Sequence, residues 1–320
     1  MTTEGRAPLP STSTFMGTPL LDSASARQPL AAILGIPFDC GTHPYRIGSR
    51  HGPEAIRQQS QLVRPYRAAY ETDSPTESVA LVDAGDVRCR PGDVDATYPR
   101  IQESVQGLLE RSIIPITMGG DGAVTLPQLR ALSQVYPDLV VLHIDSHTDA
   151  FPVPGYNTAT TFTRAAEEGV IDVGASFHIG ARGSTFVPEV LSHTESLGYK
   201  VIPFSAMREE GLMPLFRRVA AELEGRKVYL CFDMDIFDPS CAPGVCTPEC
   251  GGLSAEEGLN AIRALSGVDF VAFDINTMSP PQDVGGITAL LAATVMYECC
   301  ALALASPRHA TPRHAARGLK

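Results

Sequence analysis

Leu139-Val-Val-Leu-His-Ile-Asp-Ser-His-Thr-Asp149 sets an apolar run directly against three side chains that bind cations. An unbroken apolar run that ends abruptly in polar residues is the signature of a strand buried on both faces, with its chemistry delivered at the carboxyl end. The pattern returns at 227–232, followed by Asp233-Met-Asp235-Ile-Phe-Asp238. Further short apolar runs lie at 30–37, 79–82, 113–118, 175–179, 200–203 and 268–273. Helix-like stretches separate them, among them 52–59, 98–111, 126–135 and 213–223. Strands alternating with helices predict an α/β fold with an eight-stranded parallel sheet and helices on both faces. Gly119-Gly-Asp-Gly122 follows the third run and Asp274-Ile-Asn-Thr277 the eighth, so the unusual chemistry gathers at one end of the sheet.

Side chains at i, i+2 and i+4 of an extended segment share a face. Asp145, His147 and Asp149 are therefore expected to converge, with Asp233 and Asp235 meeting them from a second strand. Four carboxylates and one imidazole make a hard, oxygen-rich set that suits a divalent ion such as manganese, or nickel as a second choice. A single Asp after a strand is ordinarily a turn or helix cap. Two clustered sets at alternate spacing favour the metal. His143 stands two residues before Asp145 and is either a further group on that face or a core histidine that supports the ligands.

Composition bounds the rest. The 320 residues are 44% hydrophobic, enough for one large core, and the net charge of −11 argues against nucleic acid or an anionic membrane as partner. No apolar run matches the ~20 residues that span a bilayer, so no membrane partner is expected. Residues 1–28 lack an apolar secretory core and are expected to form a loose arm, with the folded domain at 29–304 and a solvated tail at 305–320. The eight cysteines form no regular framework, and the spacing of Cys241, Cys246 and Cys250 matches no familiar zinc motif. Reduced thiols in a cytoplasmic protein are the simplest account.

Taken together, the chain resembles the ureohydrolase family of arginases and agmatinases, which hydrolyse guanidino groups to urea and an amine. The resemblance rests on Gly41-Thr-His-Pro-Tyr-Arg-Ile-Gly-Ser-Arg-His-Gly-Pro-Glu-Ala-Ile-Arg57, Gly119-Gly-Asp121, Asp145-Ser-His147-Thr-Asp149, and the stretch from Asp233 to Gly252 with Ala242-Pro-Gly244 and Thr247-Pro-Glu249. It implies a three-layer, arginase-like α/β sandwich, a centre of two metal ions and a trimer or hexamer.

Three departures stand out against that resemblance. Where it implies a histidine for the outer ion, this chain has Gly122. Thr158 replaces a pocket histidine that moves protons, and Thr277 replaces a glutamate that pairs with the guanidinium. Threonine is no base near neutral pH, and its hydroxyl cannot make a bidentate contact to guanidinium. Asp145, His147, Asp233 and Asp235 remain for an inner ion, so one ion or partial occupancy is expected.

Two functions follow. In one, the chain is a non-catalytic subunit of a hetero-oligomer, a trimer or hexamer with a catalytically intact paralogue. That reading resembles the branch of the family holding the degenerate subunit of a heteromeric metformin hydrolase. In the other, it is itself a metal-dependent hydrolase with a rearranged centre, acting on an unusual guanidino compound.

Overall fold

The computed structural model describes residues 13–23, 28–40, 45–66 and 74–309. Eight strands occupy the places of the eight apolar runs: β1 Ala31–Ile36, β2 Val82–Asp86, β3 Ile114–Gly119, β4 Val140–Ile144, β5 Phe177–Ile179, β6 Lys200–Ile202, β7 Val228–Asp233 and β8 Phe270–Asn276. They form one sheet in the order β2-β1-β3-β8-β7-β4-β5-β6, with every pairing parallel. The inner strands are buried along their whole length, which explains their unalternating sequence.

Successive strand residues feed two cores. Ile33, Ile116, Leu142 and Leu230 face the helices Gly52–Ser60, Leu212–Glu222, Ala255–Ala264 and Ile287–Ala305. Ala32, Leu34, Val141 and Tyr229 face Val94–Glu110, Thr125–Ser133 and Thr161–Glu168. Each fully buried Leu, Ile or Phe contributes roughly 1.5–3 kcal/mol relative to exposure, so the two cores bind the three layers together. Local signals agree with the packing: Asp93 caps Val94–Glu110 through Ala96 N–H, and Ser254 and Glu257 form a capping box on Ala255–Ala264.

One feature of the topology makes a site. The chain runs from β3 to β4, yet β8 and β7 later fill the gap between them. The strand order thus reverses at the middle of the sheet, where a crevice opens beyond the carboxyl ends. The segments after β3, β4, β7 and β8 all meet there.

Three expectations need correction. Ile287–Ala305, 19 residues, is long and apolar enough to cross a membrane by length and composition, and the sequence reading passed over it. Within its most apolar window 72% is buried, because it packs between the sheet and the neighbouring helices as a core element. Within the expected loose arm, residues 13–23 are docked: Phe15 is fully buried, its N–H bonds Asp83 Oδ2 at 2.8 Å, and Asp83 N–H bonds the Pro19 carbonyl at 2.9 Å. The start of the expected tail is also tied down, since Asp269 accepts from Ser306 Oγ at 2.6 Å and from Arg308 Nε at 2.5 Å. The remainder of the arm at 1–12 and 24–27, and of the tail at 310–320, lies outside the described residues.

Candidate metal centre

Asp145 follows the last residue of β4, and Asp233 is the last residue of β7. Neither segment stays extended as the spacing predicted. Each Asp instead folds the chain back on itself: Asp145 Oδ1 accepts from His147 N–H at 2.7 Å, and Asp233 Oδ1 accepts from Asp235 N–H at 2.7 Å. The same local turn, built by a short acceptor bonding the backbone two residues on, appears on both strands. Convergence therefore comes from paired turns rather than from strand alternation. Asp149 completes its turn with φ +46°, a left-handed conformation that Asp tolerates better than most residues.

The turns bring Asp145, His147 and Asp235 together, with ligand atoms all within 4.8 Å of one another. His147 Nδ1 lies 3.1 Å from Asp235 Oδ2 and 3.4 Å from Asp145 Oδ1. Two residues that the sequence reading missed fix this group. Ser146 donates to Asp235 Oδ1 through both N–H at 3.1 Å and Oγ at 2.6 Å, and Thr247 Oγ1 donates to Asp235 Oδ2 at 3.2 Å. Asp233 is held beside them by the hydroxyl of Thr277. Ser146 could have been suspected from its place between two candidate ligands, and Thr247 from its place in the Thr247-Pro-Glu249 motif.

The electrostatics are those of crowded carboxylates. Burial, together with Asp235 and Asp145, pushes the Asp233 carboxyl well above its ordinary value, and burial and Asp145 push Asp149 well up. Asp235 rises for the same causes, moderated by His147. Burial opposes ionisation of Asp145 too, but the imidazoles of His143 and His147 hold it well below the usual range. His147 is correspondingly raised by Asp235 and Asp145 against the pull of burial. Buried negative charge of this density favours a bound cation or a proton. Asp145, His147 and Asp235 fit one divalent ion in donor type and spacing.

The three odd positions line the same centre. A Cβ on Gly122 would lie 2.7 Å from Asp149 Oδ2 and 3.0 Å from Thr158 Cγ2. Asp149 and Thr158 thus close over the point where a longer side chain at 122 would begin. Thr277 stands at φ +62°, with its N–H bonded to the Gly120 carbonyl at 2.7 Å. Asn276 turns away as expected, its amide reaching Asp274 Oδ2 at 3.2 Å and Thr125 Oγ1 at 3.3 Å in a buried network. Around the mouth, Arg46 bonds the carbonyls of Pro243 and Val245, Arg50 pairs with Asp39, and fully buried Arg57 pairs with Asp83 and Asp86. His43 lies outside the described residues.

Comparison with known proteins matches residues 30–301 to the arginase family. The chain belongs to the arginase family. It is 35% identical to a guanidinobutyrase of Pseudomonas aeruginosa over 289 residues, covering 89% of this chain and 90% of that one. It is also 35% identical to a mitochondrial agmatinase of Gallus gallus, covering 84% and 79% of the two chains. Among solved structures, the proclavaminate amidinohydrolase of Streptomyces clavuligerus superposes with a TM-score of 0.85 at 31% identity, over 93% of this chain and 98% of its own. The parallel sheet with its flanking helices is accordingly the arginase-family fold, and the Asp and His cluster at its crevice is compatible with a metal ion.

Proposed function

We propose that this arginase-family chain is an accessory, non-catalytic subunit of a hetero-oligomeric guanidino or biguanide hydrolase. A catalytically intact paralogue would carry out the C–N hydrolysis in a mixed trimer or hexamer. The observation that carries this reading is the closing of Asp149 and Thr158 over Gly122. Position 122 offers no imidazole for an outer ion, and a side chain begun there would meet Asp149 and Thr158 unless they shift, at the place where Thr158 also stands for a proton-transferring histidine. Thr277 compounds the loss, since its hydroxyl is spent on Asp233 and supplies no carboxylate for a guanidinium.

The surviving chemistry is ion binding. Asp145, His147 and Asp235, with Asp233 beside them, would hold a manganese- or nickel-like ion, and such an ion lowers the pKa of a bound water and polarises a substrate. Within this chain Ser146, Thr247 and Thr277 orient the carboxylates, while no side chain at 122, 158 or 277 can hold or move a proton near neutral pH. Subunits that lose chemistry can be retained for the surface and stability they give an active partner.

The test is turnover of guanidino acids, agmatine and biguanides by this chain purified alone, then mixed with an intact paralogue. The reading expects no turnover alone and a gain in the partner's activity or metal loading on mixing. In the mixture, Asp145→Asn here should cost far less than the matching change in the partner. Equal losses with assembly intact would overturn it. They would favour instead a hydrolase with a rearranged centre, a reading supported by the intact Asp145, His147 and Asp235 set and by 35% identity to the guanidinobutyrase.

A further inference from the structure

Beneath the centre a row of polar residues crosses the sheet. Thr117 of β3, Asp274 of β8, Cys231 of β7, His143 of β4 and His178 of β5 stand opposite one another in register. At the β3 end of the row, fully buried Asp274 is enclosed by neutral groups. Thr125 Oγ1 donates to its Oδ2 at 2.7 Å, Asn276 Nδ2 reaches the same oxygen at 3.2 Å, and Thr117 Oγ1 stands 2.8 Å from its Oδ1. From β7, Tyr229 and Cys231 face it, and burial pushes both well above their ordinary values, so each stays neutral. β3 presents Thr117 and the helix Thr125–Ser133 presents Thr125 and Gln128, none of which titrates. Among the described residues no lysine, arginine or histidine bonds this carboxyl. A carboxylate buried without a counter-charge is costly, and a bound proton relieves it.

Counting hydrogens leads to the same state. Thr117 Oγ1 lies within reach of three acceptor oxygens: Asp274 Oδ1, Gln128 Oε1 at 3.0 Å and the Phe273 carbonyl at 3.2 Å. One hydroxyl has one proton to donate. The Gln128 amide cannot be turned round to help, because its Nε2 donates to the Val124 carbonyl at 3.2 Å and reversal would set two carbonyl oxygens against each other. Were Asp274 ionised, Thr117 would donate to it and buried Gln128 Oε1 would lose its donor. With a proton on Oδ1 the bonds run one way, from Asp274 to Thr117 and from Thr117 to Gln128. Burial raises the Asp274 carboxyl in the same direction, against the hydroxyl donors that lower it.

We propose that Asp274 is a neutral carboxylic acid at neutral pH and that its proton ties β3, β8 and the helix Thr125–Ser133 together under the centre. β8 leads into Thr277, β3 ends at Gly119, and the helix begins three residues after Gly122, so the tie positions the segments that carry the altered residues. A proton held more tightly in the folded chain than in the unfolded one stabilises the fold in acid, and that contribution is lost as pH rises through the folded value. Ionisation at alkaline pH therefore leaves a buried charge and an unpaired amide oxygen, and loosens the tie. This goes beyond the accessory reading, because the proton is held whether or not the chain binds an ion or turns over substrate.

The experiment uses the full chain with carbon-13 in its aspartates. The infrared difference between wild type and Asp274→Asn at neutral pH should contain the carbonyl stretch of a protonated carboxyl, moved by the label. Asparagine copies the neutral acid, since Nδ2 can donate to Thr117 and Oδ1 can accept from Thr125. Asp274→Asn should therefore unfold at the wild-type denaturant concentration at neutral pH and lose less stability than wild type as pH rises. Asp274→Leu offers neither group and should be markedly less stable or fail to fold. Gln128→Leu frees the Thr117 hydroxyl to donate to Asp274, so the acid band should titrate away about one pH unit lower, a tenfold loss of proton affinity that a merely structural contact would not produce. A difference spectrum showing only carboxylate, Asp274→Asn as unstable as Asp274→Leu, or a titration unmoved by Gln128→Leu would each overturn the proposal and leave Asp274 a buried charge.

Discussion

The two halves of the centre were built by the same sheet and have fared differently. On the side of β7, Asp233 and Asp235 sit in a tight turn and every carboxylate has donors supplied by Ser146, Thr247 or Thr277. On the side of β3, Gly122 contributes no side chain, and among the described residues the buried Thr158 hydroxyl has no partner. Two of the three departures, Gly122 and Thr158, lie in that half, whereas the third, Thr277, serves Asp233 in the other. Groups that satisfy one another in a buried network resist change, because removing one leaves another unpaired.

The largest expected effect comes from trying to rebuild the damaged half. Gly122→His alone is expected to give no turnover and to destabilise the chain, since its Cβ meets Asp149 and Thr158 at 2.7 and 3.0 Å. Adding Thr158→His supplies the proton carrier that the family resemblance implies there, and Thr277→Glu supplies the implied carboxylate for the guanidinium. A positioned acid or base contributes roughly 10²–10⁴-fold, so the triple variant should exceed the native chain by at least that range in hydrolysis of a guanidino acid. Steady-state urea release decides it. Equal turnover by the native chain and the triple variant would break the contrast between the halves.

A smaller effect probes the intact half. Ser146→Ala removes the 2.6 Å hydrogen bond that orients Asp235 and should weaken inner-ion binding by about 10–100-fold. Thr158→Ala, in the other half, should leave that affinity unchanged. Parallel calorimetric titrations compare them, and equal losses in both would show that the halves act as one unit.

This division also marks what the sequence disclosed. The strands were legible because runs such as Val140–Ile144 and Val228–Asp233 are buried on both faces and so read as unbroken apolar blocks. Asp145 and Asp233 were legible as a pair because each ends such a run. The turns after them were not, since a bond from Asp to the backbone two residues on leaves the same spacing as an extended strand. Ile287–Ala305 escaped notice because it is apolar all round and so lacks the helical stripe that betrays a surface helix. His143 was left between two readings, and its partner His178 was missed, because only the pairing of β4 with β5 sets them side by side.

The halves should also respond to pH when metal is removed. Folded Asp149 and Asp233 titrate well above the ~4 of an unfolded carboxylate, so between those limits the folded state holds more protons than the unfolded one. Their contribution to stability is greatest at acid pH and is lost as pH rises through the folded values. Asp145, held low, acts in the opposite sense and only below about 4. The chelated chain should therefore melt at falling temperature as pH rises from 4.5 to about 8, a divalent ion should remove much of the slope, and Asp149→Asn should flatten it. A melting temperature that rises across this range in the chelated chain would contradict the picture of crowded, unsatisfied carboxylates.

The smallest effect lies at Thr277, which belongs to both halves: it stands where the family resemblance implies a substrate-binding glutamate, yet serves an inner carboxylate. Its φ of +62° is unfavourable for a β-branched residue, at a cost on the order of 1–2 kcal/mol. The hydroxyl offsets that cost by donating to buried Asp233. Thr277→Ser keeps the donor and relieves part of the crowding, so it should stabilise the chain by a few tenths to about 1 kcal/mol. Thr277→Ala relieves the branch but leaves Asp233 short of a donor, and should fall below the serine variant by about 1–3 kcal/mol. Denaturant unfolding of the two variants separates the terms. If alanine proves as stable as serine, the hydroxyl is idle, Thr277 is simply another lost substrate contact, and the inner half has not been reinforced from the ruins of the outer one.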